Sequence, residues 1–89
     1  MQLTEHASTR ANQRGVPKAI IETIFMFGSE RHAPGGAVRL TLDDASIFLA
    51  ADGSAHLQSQ LERYRDTYLV VGDKGRIYTV ARQLCRFFN

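Results

Sequence analysis

Apolar positions change their period twice along the chain. Near the start they are sparse, with only Leu3, Ala7 and Ala11, each four residues from the last. A four-residue step marks one side of a helix. Thr4 is the expected N-cap, and Glu5 places a carboxylate near the positive end of the helix dipole. Gly15 supplies the left-handed position that closes the helix after Arg14. Pro17 suits the first position of a second helix. In that helix Ile20, Ile21, Ile24, Phe25 and Phe27 form a broad apolar arc, with Lys18 and Glu22 on the wet side and Gly28 at the end. The two helices form an αα-hairpin.

After Gly28 the period falls to two. The turn Ala33-Pro34-Gly35-Gly36 separates 29–32 from 37–42. In "VRLTL", Val38, Leu40 and Leu42 point one way and Arg39 and Thr41 the other. "TYLVVG-DKG-RIYTVAR" is the plainest hairpin in the chain. Between these strands, short helices are expected around 45–51 and 56–64, parted by Asp52-Gly53-Ser54. The closing "LCRFF" is expected to pack back or seal an edge. The predicted class is α+β: an N-terminal αα-hairpin packed on a mainly antiparallel sheet, with short helices inserted mid-chain. One helix layer on one sheet leaves the other sheet face partly open, which is where a small domain can hold a site.

Composition narrows this only a little. At 89 residues the chain is a single domain, 1–89, and its 44% apolar content is that of a globular protein. No apolar run is long enough to span a bilayer, so no membrane association is expected. "MQLTEHA" lacks a basic stretch followed by an apolar one, so no secretory signal is expected. A single cysteine, Cys85, can form no internal disulfide, which fits a reducing cytoplasm. Net charge is only +2, but Lys74, Arg76, Arg82 and Arg86 follow the last acid, Asp73. If the two ends of the chain meet, a modest basic face results.

Candidate chemistry starts on the first helix. His6, Arg10 and Arg14 recur at the same four-residue step as the alanines and form a shallow ridge beside them. Glu5, Ser8, Thr9 and Asn12 take the solvent side. Guanidiniums at the margin of a packed face need a carboxylate, carbonyls or a ligand phosphate. The ridge is therefore either a scaffold that fixes the helix on the sheet or one wall of a phosphate-binding cleft with His6 moving a proton. Elsewhere the signals are mostly negative. His6, His32, His56 and Cys85 are too scattered for zinc, and His56 has no partner in sequence. Gly35-Gly36 lacks the strand–loop–helix context of a nucleotide cradle. Asp43-Asp44 reads as a helix cap. Neither a metal nor a cofactor is expected.

His6-Ala7-x-x-Arg10-x-x-x-Arg14-Gly15-Val16 together with Gly75-x-Ile77-x-Thr79-Val80-x-Arg82 resembles a bacterial domain family of unknown function. Its members begin with an HAxxRxxxRG(I/V) helix and end with a GxIxTVxR strand. Phe27-Gly28-Ser29-Glu30 and the Gly35-Gly36 strand fit its layout, whereas 51–66 match poorly. In element order that family is similar to the RelE and BrnT toxin nucleases, which cleave RNA without metal. The resemblance implies an RNA-binding, metal-independent endoribonuclease of toxin–antitoxin type, with RNA and an antitoxin-like protein as partners. His6, Arg10 and Arg82 are then the catalytic candidates, acting as proton-transfer group and cationic clamp. Arg14, His32, Arg39, Lys74, Tyr78 and Thr79 are the candidates for holding substrate. On a regular strand Tyr78 and Arg82 share a face and Thr79 takes the other, under the first helix. The alternative is a non-catalytic interaction module, including a homodimer formed through a sheet edge. The small size, the open sheet face and the aromatic tail Phe87-Phe88 motivate that reading.

Overall fold

The structure, a computed structural model, describes residues 1–83. The expected packing of the tail, with Cys85 and Phe87-Phe88, lies outside the described residues. Strand β1 (Gln2–Leu3) leads into helix α1 (Glu5–Arg14), α2 (Lys18–Phe27), β2 (Ser29–His32) and β3 (Val38–Thr41). Helices α3 (Asp44–Ala51) and α4 (Ala55–Glu62) precede the hairpin of β4 (Thr67–Val71) and β5 (Arg76–Arg82). The strands form one sheet in the order β1-β5-β4-β3-β2, antiparallel except for β1 beside β5. The α+β class and the mainly antiparallel sheet are as expected.

Local chemistry explains the helix ends. The Thr4 side chain accepts the Ala7 N–H at 3.1 Å, and Gly15, at φ 66°, donates its own N–H to carbonyls of the last turn. Pro17 is the N-cap of α2 rather than its first residue: at ψ 155° it is still extended, and only its carbonyl joins the helix, accepting from Ile20 and Ile21. Asp43 caps α3 in a reciprocal box. Its carboxylate accepts the Ser46 N–H at 3.0 Å, while Ser46 Oγ accepts the Asp43 N–H at 2.7 Å. α4 stops at Glu62, two residues before the expected Tyr64, as the chain turns to enter β4.

All four helices lie on one side of the sheet. Ala7 and Ala11 of α1 are buried with Ile77 and Val80 of β5, and Ile21 and Ile24 of α2, Ile47 of α3 and Leu61 of α4 join Leu40 and Leu69. Because alanine is small, α1 lies close against β5. β1 adds a short parallel pairing, Gln2 with Arg76 and Leu3 with Ile77, and Thr4 N–H donates to the Ile77 carbonyl at 3.0 Å. The two ends of the described chain therefore do meet.

Register decides what faces where. On the helix side, the cross-strand rows are Glu30–Leu40–Leu69–Val80 and His32–Val38–Val71–Ile77. The rows between them point to the other side: Ser29–Thr41–Tyr68–Ala81 and Arg31–Arg39–Val70–Thr79. A bulge opposite Val70 and Val71 gives β5 one extra residue, so Val71 pairs with Ile77 and Val70 with Thr79. The bulge moves Ile77 to the helix side, where it is buried with Val80. It corrects two expectations. Thr79 is not under α1 but on the open face, and Arg82, two residues beyond Val80, does not share a face with the exposed ring of Tyr78.

Candidate functional site

The ridge of α1 points largely to water. His6 and Arg14 are exposed, and Arg14 sits in the last turn, where a cation suits the helix dipole. Arg10 is half-buried, its guanidinium 3.5 Å from Gln13 Oε1. The alanines alone make the packed face, so no guanidinium is forced beneath the helix. Arg82 lies on the neighbouring strand, but its side chain is directed at backbone. Nη2 donates to the Arg63 carbonyl at 2.8 Å and Nε to that of Arg65 at 3.3 Å. These bonds tie the end of β5 to the turn after α4. His32 closes β2 on the helix side, exposed at the sheet edge, and Lys74 tops the β4–β5 turn at φ 61°. His6, Arg10, Arg14 and Arg82 thus share neighbouring elements without converging on one of the described clefts.

The open sheet face gathers a different set. Arg39, Thr79 and Tyr78 come from the expected candidates, whereas Arg31, Tyr68 and Gln83 were not singled out by sequence. The Arg39 guanidinium carbon sits 3.8 Å from the centroid of the Tyr68 ring, a cation–π stack. Its Nη2 donates to Gln83 Oε1 at 2.8 Å. Directly across the strand pair stands Arg31, exposed and on the same side of the sheet. Among the described residues no carboxylate lies within 4.0 Å of either guanidinium; the ion pairs there belong to Arg65, with Asp44 and Glu62. Arg31, Arg39, Thr41, Asp43 and Gln83 line a polar cleft of about 350 Å³.

Two further features shape this face. Tyr78, 42% exposed, lays its ring over Gly72, where a Cβ would come within 2.1 Å of the ring. Gly72 continues the alternation of Val70 and Tyr68, so the Tyr78 ring joins the open face. Asp43, at the rim of the cleft, is committed to structure. Burial works against its charge, but hydrogen bonds from the Ser29 hydroxyl at 2.8 Å, the Ser46 N–H and hydroxyl, and its own backbone outweigh that and hold its pKa below the usual carboxylate value. The face therefore presents two cations, two phenol rings and several neutral hydrogen-bonding groups, with the Asp43 carboxylate at the rim of the cleft.

Such a surface can hold a polyanion and stack planar groups. Proton transfer is less well provided for, because no imidazole stands on it. His6 lies on α1, across the sheet, and His32 is in a helix-side row. Among the described residues, no group of three or more His, Cys, Asp or Glu could hold a metal ion. No described helix is long and apolar enough to cross a membrane. Compared with family models, with curated proteins and with solved structures, the chain matches none of them.

Proposed function

We propose that the domain binds single-stranded RNA across the open face of its sheet. The observation that carries this reading is the cross-strand pair Arg31 and Arg39. Like charges directly opposite in a sheet are destabilising, and no described carboxylate lies within 4.0 Å of either guanidinium, the nearby Asp43 being bonded to Ser29 and Ser46. A phosphate between the two guanidiniums turns that cost into affinity. Tyr68, already stacked with Arg39, and Tyr78, spread over Gly72, offer flat surfaces for unpaired bases. The reading is one of binding. Cleavage would require a proton-transfer pair on this face, and the endoribonuclease candidates His6 and Arg82 lie elsewhere. Pairing of two copies through the free edge of β2 is disfavoured by its own sequence, because Glu30, Arg31 and His32 put charged or ionisable groups along it.

Fluorescence anisotropy with a labelled RNA of about ten nucleotides, within the usual span of such surfaces, tests the proposal. Binding should weaken steeply with salt and favour single strands over duplex. Arg39→Ala should reduce affinity by about tenfold or more, since it removes both a phosphate contact and a stacking partner. His6→Ala should bind like the parent. Equal loss in both variants, or no salt-sensitive binding at all, would overturn the assignment.

A further inference from the structure

A second cleft lies among the helices, away from the open sheet face. It has a volume of about 290 Å³ and runs between α2 and α4. α4 rests on α3 rather than on α2, so the sides of α2 and α4 that face each other are left apart. Their apolar residues line the gap together with Tyr64 from the turn after α4: Ile20 and Tyr64 are half-buried, Leu61 is buried, and Leu57 is 37% exposed.

The lining has one charged member, the exposed Arg63. Thr23, Gln60 and Arg63 belong to it, and no acid does. The Thr23 hydroxyl is spent on the Ala19 carbonyl at 2.9 Å. Glu62, adjacent to Arg63 in sequence, is committed to Arg65, whose Nη2 lies 2.6 Å and 2.8 Å from its two carboxylate oxygens. The Arg63 side chain itself has no hydrogen-bond or ion-pair partner among the described residues. The amino end of α2, whose cap Pro17 has no side-chain acceptor, borders the same cleft and adds to its positive field.

We infer that the α2–α4 cleft binds a small amphiphilic carboxylate, its apolar body between Ile20 and Leu57 and its carboxylate on Arg63. A volume of this size holds about ten heavy atoms, at the roughly 30 Å³ a water occupies in the liquid. That is the scale of an aryl or branched alkyl monocarboxylate. The guanidinium, being planar and forked, suits a carboxylate better than a neutral polar group.

Amide chemical shifts of the full chain, followed by NMR during titration with 3-phenylpropionate and with its uncharged amide, test the inference. The carboxylate should give saturable shifts centred on Ile20, Thr23, Leu57 and Leu61, complete by about 10 mM if the dissociation constant is about 1 mM. Arg63→Gln should weaken its binding about tenfold and abolish the preference over the amide, while Leu57→Asn should weaken both ligands alike. The idea is overturned by shifts that fail to saturate, that centre elsewhere, or that are equally strong for the amide. RNA affinity should be unaltered in Arg63→Gln, so failure at this cleft and failure at the sheet face are read separately.

Discussion

Replacing Arg31 by Gln should make the protein more stable and a poorer RNA binder at the same time. Arg31 and Arg39 face each other on the exposed side of an antiparallel pair, where Cβ atoms stand about 5 Å apart. Two unit charges at about that distance in water repel by about 0.8 kcal/mol, and the turn of the Arg39 guanidinium toward Tyr68 and Gln83 reduces this. Physiological salt roughly halves the interaction, and about 1 M salt reduces it to about a fifth. A gain of about 0.5 kcal/mol raises the melting temperature of a domain this size by about 2–4 °C. Thermal melts followed by circular dichroism at low salt and at about 1 M salt measure it, and the gain should shrink to below about 1 °C in the second. The same variant should bind RNA more weakly, its salt dependence shallower by about one counterion. A lower melting temperature at low salt would mean that Arg31 has an attractive partner in the folded protein. The pair would then need no phosphate to balance it.

Three further substitutions probe the packing that presents the face. Thr67 is 1% exposed and its hydroxyl has no hydrogen-bond partner among the described residues, so Thr67→Val should be neutral or stabilising by up to about 1 kcal/mol in urea denaturation; a loss of that size would reveal a hidden partner. Asp43→Asn should destabilise near neutral pH by about 1 kcal/mol through the weakened cap. The folded-state pKa of Asp43 is lowered, so its contribution is complete above the ordinary carboxylate pKa of about 3.9 and is lost as pH falls through the lower folded value. Parent and variant stabilities should converge there, and a gap that widens in acid would contradict the assignment. Gly72→Ala drives a methyl into the Tyr78 ring, so it should weaken RNA binding and alter the tyrosine signal in near-ultraviolet circular dichroism; an unchanged signal would place that ring elsewhere.

Much of the architecture is legible because it rests on local rules. Thr4, Gly15 and Gly28 bound the first two helices, and the alternation in "VRLTL" and "TYLVV" separates the two sides of the sheet. β1 escapes a periodic reading, being two residues long and held by a parallel partner more than seventy residues away in sequence. The bulge in β5 escapes it too, since nothing in "RIYTVAR" says where the extra residue goes. That one residue separates Tyr78 and Thr79 from Arg82. The site suffers from the same limit. Arg39 is visible as the polar side of its strand, but its partners Arg31, Tyr68 and Gln83 come from three other segments and are identified only by register.

The regular stripe of His6, Arg10 and Arg14 acquires a simpler account once α1 is seen against β5. A helix that packs through two alanines leaves most of its circumference wet, and long cationic side chains are at ease there, with Arg14 also favoured at the carboxyl end. Its periodicity follows from the alanines, which must recur to keep the helix close to the strand. Arg82 is accounted for by the two carbonyls it holds. Arg39 holds the Tyr68 ring and Gln83, but Arg31 has no such account among the described residues: it stands opposite Arg39 on the one face of the sheet that no described helix covers. A cationic pair that costs stability calls for a ligand, whereas a solvated ridge does not.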